Sequence, residues 1–471
     1  MQSVAMTRSL DARARRFGAR MNSSRGLSWS WLLPLSLFLA FSSTNAQGPQ
    51  KALPVQTTMI PIADSESDYS LWEPHIAADP GDANRAVVAA IFGEYLHGRS
   101  LRRPKQSYLR TWRTADGGKS WSEAQPPFWA SSTSPRFSGD PAVASAGANG
   151  FWLVGCDYQF SEKSPALEFM WIKAASLKDG QTKWQPALVV SATDNRQINH
   201  GGDDKPWIAA DNTGGKRSGT VYVAWTRLDA TKVRCELWCS ALPAGASKFS
   251  PAVQLGQPVA MQPGHILAHE VQLAIRSDGT LDVVWQIPVL RRIVHAYSTD
   301  GAKTFTEPTP ILDMEPAGTG EFPTLAAVRG GKLVAAWKNR SRILCSIYSA
   351  GGWSTPVSVT GAAADGVDFS HAAVAATADA LWLLAYRQED KADRVQVVLY
   401  RSNDEGRTWS QAAILATREF TNLMSRSFDP GEYVGLASSK NVLYAAYSLP
   451  MGLHERTTRL YVSRIQAKKG E

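Results

Sequence analysis

HEVQLAIRSDGTLDVVWQIPVLRRIVHAYSTDGAKTF, residues His269 to Phe305, holds one whole structural unit in its plainest form. Two apolar runs flank Ser277-Asp278-Gly279, and a third ends in Ser-x-Asp-x-x-x-Thr-Phe. A glycine-containing turn between short β-rich runs signals a hairpin, so the stretch predicts three antiparallel strands in succession. Such a meander cannot bury both of its faces alone. If it recurs, the expected architecture is a radial array.

The unit does recur. Its ending returns as TADGGKSW (Thr114–Trp121) and SNDEGRTW (Ser402–Trp409), with worn forms at Ser176–Trp184 and Ser349–Trp353. Its first two strands return from Pro74, Asp140, Lys205, Phe322, Phe369 and Tyr433, which makes seven copies with the opening unit. A fourth β-rich run follows each turn except in the last copy, and Val55–Ile62 (VQTTMIPI) can supply the missing strand beside Tyr461. That closure would pair first and last blades and remove an open sheet edge. The expected fold is therefore all-β: a seven-bladed β-propeller of four-stranded antiparallel blades closed by an N-terminal strand. A six-bladed ring is the alternative.

The first 46 residues stand apart. Six Arg and one Asp precede the apolar run Trp29–Phe41, which ends in Ser-Ser-Thr-Asn-Ala-Gln and suits a signal-peptide cut after Ala46. The run is shorter than the ~20 residues of a membrane span, so residues 1–46 read as an export signal and 47–471 as one propeller domain. A secreted or periplasmic protein is expected. Removing that leader lowers the formal charge from +8 to +3, too little and too scattered for a nucleic-acid surface. Of the four cysteines, Cys235 and Cys239 share a strand and lie ~13 Å apart, too far to bridge. Cys156 can pair with either across neighbouring blades, or all four are buried thiols. No Cys/His spacing resembles a zinc site, so no metal is expected there.

Propeller geometry makes two sets of positions informative. At the starts of the inner strands stand Glu73, Asp140, Asp203 with Asp204, Glu270, Glu321, Asp368 and Glu432. Past the ends of the second strands stand Arg227, Lys338 with Arg340, and Arg387. Carboxylates and cations would meet around one funnel, where like charges raise some carboxyl pKa values and cations restrain the rise. His269, Lys205, His75 and His371 lie near the same starts. The bland reading, that such residues cap strand ends and hydrate a channel, fits any one of them taken alone.

The Ser/Thr-x-Asp-x-Gly-x-Thr-Trp repeat is the Asp box, and over nearly all of residues 47–471 the chain resembles the sialidase superfamily, in particular its exported bacterial BNR-repeat propellers. Asp116, Asp300 and Asp404 are expected to bond turn amides, and Trp121, Trp225, Trp285, Trp337, Trp382 and Trp409 to fill space between sheets. HEVQLAIRSDGTLDVVW is similar to the sialidase Glu-x-Gln-Val segment, which implies Glu270 as the base serving a tyrosine nucleophile. Tyr433, in GEYVGLAS, is similar to that nucleophile. Asp140 and Asp204 are the candidates for the acid/base. The Arg-Ile-Pro motif of sialidases is missing, and Trp285-Gln286 stands where one of their arginines is expected. Arg227, Arg340, Arg387, Lys338, Lys205 and His269 are the substitutes considered for substrate binding.

The resemblance implies a sialidase-like glycoside hydrolase acting on terminal acidic sugars of glycans, a monomer with a carbohydrate partner and no cofactor. The alternative is a non-catalytic propeller that binds a glycan or a protein, for which Trp72, Trp129 and Trp207 offer stacking surfaces. A lyase using the His and Tyr groups is the third reading. The polar stretch Thr193–Lys205 carries Asp194, Asn195, Asp203 and Asp204, oxygen ligands that suit calcium, though a solvated lid explains them equally. His97–Lys105 is a basic surface loop.

Overall fold

The computed structural model describes residues 53–63, 69–93, 107–128, 136–160, 167–194, 202–229, 234–260, 270–287, 290, 292–313, 322–362, 364–389, 394–419, 430–451 and 457–467. His269, Glu321, Trp129, the basic loop and the leader fall outside them.

Seven antiparallel sheets form seven blades, each running outward from an inner strand. The inner strands are Ser70–Ala78, Arg136–Ser145, Gly202–Ala210, Val271–Ile275, Thr324–Val328, Val367–Ala376 and Gly435–Ser439. Each packs against the next, and the seventh packs against the first, so the ring is closed. Val55–Met59 is the outer strand of the seventh blade, with Met59 opposite Tyr461 as the closure argument requires.

Strands inside a blade are covered on both faces by neighbouring blades. Leu281–Ile287 (LDVVWQI) is buried at every position, which explains why its sequence is an apolar run and not an alternation. The core divides into seven clusters among the described residues, one per seam between adjacent blades. Trp225, Trp285, Trp337 and Trp382, each on a second strand, are fully buried wedges in four of these seams. The Asp turns work as expected: Asp300 accepts from the Thr304 amide at 3.0 Å and its hydroxyl at 2.6 Å, and Asp404 does the same with Thr408 at 2.9 and 2.6 Å. All four cysteines are buried free thiols. No helix among the described residues is long and apolar enough to cross a membrane.

Candidate functional site

Four inner strands share an irregularity that sets the site. Their pairing with the second strand slips between Trp72 and His75, Gly139 and Ala142, Asp204 and Trp207, and Ser370 and Ala373. The first residue of each bulge has a left-handed backbone without being glycine: Glu73 (φ 51°), Asp140 (φ 54°), Lys205 (φ 50°) and His371 (φ 54°). Three of them precede a proline, which has no N–H to lose at a bulge. Such backbones cost about 1–3 kcal/mol each and persist only where the surroundings impose them. Here the bulges at Glu73, Asp140 and Lys205 send side chains toward a common point, while His371 meets the Gly431 carbonyl at 2.7 Å.

That point is the Lys205 ammonium. It sits 2.5 Å from Asp140 Oδ1 and 3.9 Å from Glu73 Oε1, and it is in direct contact with Glu432. Carboxyl oxygens of Glu73, Asp140 and Glu432 lie within 4.8 Å of one another, a spacing that suits a bound cation. The Lys205 ammonium stands among these carboxylates and offsets part of their charge. Behind them the Tyr158 hydroxyl donates to Asp140 Oδ2 at 2.6 Å and lies 3.3 Å from Asp204 Oδ1. Asp204 also accepts from the Lys205 amide at 3.0 Å.

The two aspartates are pushed apart electrostatically. Burial raises the Asp140 carboxyl, but the Lys205 charge beside it and the hydrogen bonds from Lys205 and Tyr158 prevail and hold it below its usual range. Burial and the neighbouring Asp140 charge raise Asp204 to about 7. One carboxyl is held ionised while its neighbour is poised to carry a proton. Tyr158 and Tyr433 are both pushed well up, first by burial and then by nearby carboxylates.

An aromatic floor adjoins the charges. Trp207 meets His75 edge-on at 4.6 Å and Tyr433 at 5.7 Å, and Phe322 meets Tyr433 at 5.8 Å. His75 Nδ1 accepts from the Val143 amide at 3.0 Å, which fixes the neutral Nε2–H tautomer, and burial lowers its pKa to about 4.

The structure brings Asp140, Asp204, Lys205 and Tyr433 together, and it gives several other expected residues different partners. The Tyr433 hydroxyl donates to the Pro141 carbonyl at 3.0 Å, so the proton assigned to Glu270 is held elsewhere, and Glu270 accepts from Gln286 at 3.1 Å. Arg227 forms a fork on Asp203 at 2.7 and 2.9 Å and stacks on Trp238. Lys338 donates to Asp368 at 3.0 Å across blades five and six. Arg387 pairs with Glu389 at 2.7 Å, and Arg340 is exposed in a hairpin turn. Asp203, Asp204 and Lys205 belong to an inner strand and not to a loop. With Asp203 held by Arg227, the calcium set read from Thr193–Lys205 loses a ligand. Asp194 and Asn195 offer no described side chain.

Sequence reasoning missed Tyr158 because it looked for cations past the second strands, whereas the second strand of blade two runs on through Tyr158 to Phe160. It also placed Asp203 and Asp204 as blade three's counterparts of Glu73 and Asp140. The bulge shows that the counterpart is Lys205, one residue on. The shared Glu-Pro, Asp-Pro and Lys-Pro dipeptides were the available signal.

No family model and no curated protein matches the chain. Among solved structures, a polysaccharide lyase, the PL25 ulvan lyase bound to -[GlcA(1-4)Rha3S]-, aligns with a TM-score of 0.50 and 7% identity, over 86% of this chain and 95% of that one. The Hadza microbial sialidase Hz136 aligns at 0.47 and 12% identity, over 84% of this chain. The Penicillium chrysogenum α-L-arabinanase complexed with arabinobiose aligns at 0.42 and 12%, over 89% of this chain and all of that one. This chain spans 66% of the sialidase's length. At such identities the likeness concerns architecture alone, and that architecture is a β-propeller.

Proposed function

We propose that the protein is an exported, glycan-active glycoside hydrolase working at the mouth formed by Glu73, Asp140, Asp204, Lys205 and Glu432. The observation that carries this reading is the convergence of three strained bulge residues from separate blades on one charged cluster. Strain of this kind gathers where a site needs side chains aimed against the preference of the chain. Glycoside hydrolysis needs one carboxyl to protonate the leaving oxygen and another, ionised, to activate water or stabilise the positive sugar. Asp204 is the proton donor. Asp140 supplies the fixed negative charge, and Glu432, whose side chain is 48% exposed, faces solvent and activates water.

Substrate charge follows from the same cluster. Glu73, Asp140 and Glu432 carry three formal negative charges against one on Lys205, and of the arginines expected to clamp a sugar carboxylate, Arg227 is held by Asp203, Arg387 lies in the seam between blades five and six, and Arg340 is in an exposed turn. A neutral sugar at the mouth therefore fits better than the acidic one implied by the sialidase resemblance. Turnover of a panel of neutral aryl glycosides beside a sialoside tests this. The expected result is turnover of a neutral glycoside that declines above pH 7 as Asp204 ionises, and a loss of at least about 10²-fold in Asp204→Asn. Turnover confined to the sialoside would reverse the assignment.

A non-catalytic glycan binder is the second reading, favoured by the Tyr433 hydroxyl being tied to a backbone carbonyl. It predicts no turnover by the parent chain and glycan binding that survives Asp204→Asn. Export rests on the leader, and N-terminal sequencing of protein recovered outside the cytoplasm should begin at Gln47.

A further inference from the structure

A cavity that shares no lining residue with the charged mouth lies in the seam between blades five and six. Its volume is about 390 Å³, within the range of small-ligand sites. Val359, Phe369, Tyr400 and Trp409 line its apolar part, and Arg387 and Gln411 bring polar groups to it. Burial raises the Tyr400 phenol to about 12, so it stays a donor at any physiological pH.

Two features point to a ligand. Arg387 Nε is buried and has no hydrogen-bond partner among the described residues, an expensive state for a guanidinium N–H. The carboxylate that meets Arg387 is also shared. Glu389 contacts Arg387 at 2.7 Å and Arg394, whose Nε lies 3.1 Å away, so it is not devoted to Arg387, while Glu419 stands opposite Arg394 on the next strand. A cavity with an unmet guanidinium donor and aromatic walls suits a ring that carries an anion.

We infer that this seam is a binding site for a carboxylate-bearing sugar, separate from the central mouth, with Arg387 as the anion contact and Trp409 and Tyr400 as the ring contacts. The choice of a sugar over another organic acid rests on the glycan-active reading above. The site itself does not depend on catalysis at the mouth.

Calorimetry with D-glucuronic acid and D-glucose on the full chain tests it. Glucuronate should bind at least about 10-fold tighter than glucose, and Arg387→Gln should weaken glucuronate about 10- to 100-fold, the scale of one charge-assisted hydrogen bond. Ala362→Trp, on the exposed rim, fills the cavity without touching the core and should give a loss of similar size. Asp204→Asn should leave glucuronate binding unchanged. The inference falls if glucuronate does not bind, if glucose binds equally, or if binding survives either seam substitution. Binding lost in Asp204→Asn alone would move the acid to the mouth and overturn this site only. Absence of glycoside turnover with seam binding intact would overturn the hydrolase reading only.

Discussion

Replacing Lys205 by methionine, an unbranched side chain one atom shorter, removes the one ammonium that the mouth is built around. Its side chain is 13% exposed and that of Asp140 is 9% exposed, so the 2.5 Å pair is a buried one. Deleting one partner of a buried pair costs about 3–5 kcal/mol, because the remaining charge is left without compensation. Two details favour the lower end of that range. Tyr158 still donates to Asp140 at 2.6 Å, and the Glu432 contact is open to solvent and screened. The expected loss is about 3 kcal/mol at pH 8.

The pH dependence separates this account from a packing defect. In the parent chain the Asp140 pKa is depressed, so its stabilising contribution is present above the unfolded value of 3.8 and is lost as pH falls below it. Without Lys205, burial and neighbouring carboxylates are opposed mainly by the Tyr158 hydrogen bond, and the folded state gains affinity for protons. A folded state that binds more protons than the unfolded chain is destabilised as pH rises, so the deficit of the variant should be largest at pH 8 and smaller at pH 5. Urea unfolding of both proteins at the two pH values measures it. A loss below about 1 kcal/mol at pH 8, or a deficit that does not shrink at pH 5, would refute the charge argument.

Three further outcomes can be checked. Gly431 has φ +94°, and a Cβ there would lie 2.1 Å from Glu73 Cγ and 2.7 Å from the Glu73 amide nitrogen, so Gly431→Ala should destabilise the fold by more than about 2 kcal/mol in urea and lower turnover by displacing Glu73. The His75 ring should remain neutral by NMR down to about pH 4, and because its folded pKa lies below the ordinary histidine value of 6.5, it should remove stability as pH falls from 6.5 to 4; a ring that titrates near 6.5 would contradict its burial. Deleting Val55–Met59 leaves Thr458–Gln466 as an open edge, and size-exclusion chromatography should show association or aggregation that the parent chain lacks.

The ring was legible because its units repeat and each repeat carries its own turn chemistry. Asp116, Asp300 and Asp404 bond the turn that follows them, and a local interaction of that kind is written in consecutive residues. Blade number and closure followed from counting fourth strands, since only the last copy lacked one and Val55–Met59 was left over. The site was legible only in outline. Inner-strand starts and second-strand ends were the right places to look, yet which residue at a start faces the axis depends on a bulge, and a one-residue slip exchanges the faces of a strand.

Blade three shows what that costs. Asp203, Asp204 and Lys205 follow one another, and the bulge sends Lys205 to the axis, leaves Asp204 behind it beside Tyr158, and sends Asp203 to Arg227. Charge type alone matched the aspartates to Glu73 and Asp140, whereas backbone chemistry matched the residue before proline. The second criterion is the physical one, because proline tolerates the lost ladder hydrogen bond and so marks where the pairing slips. Applied to blade six, which has no proline at this point, it would miss His371, whose Nε2 lies 2.7 Å from the Gly431 carbonyl. A partner contributed by a blade adjacent in space is invisible in a local motif, and the central lysine is the extreme case: its three carboxylates come from blades one, two and seven.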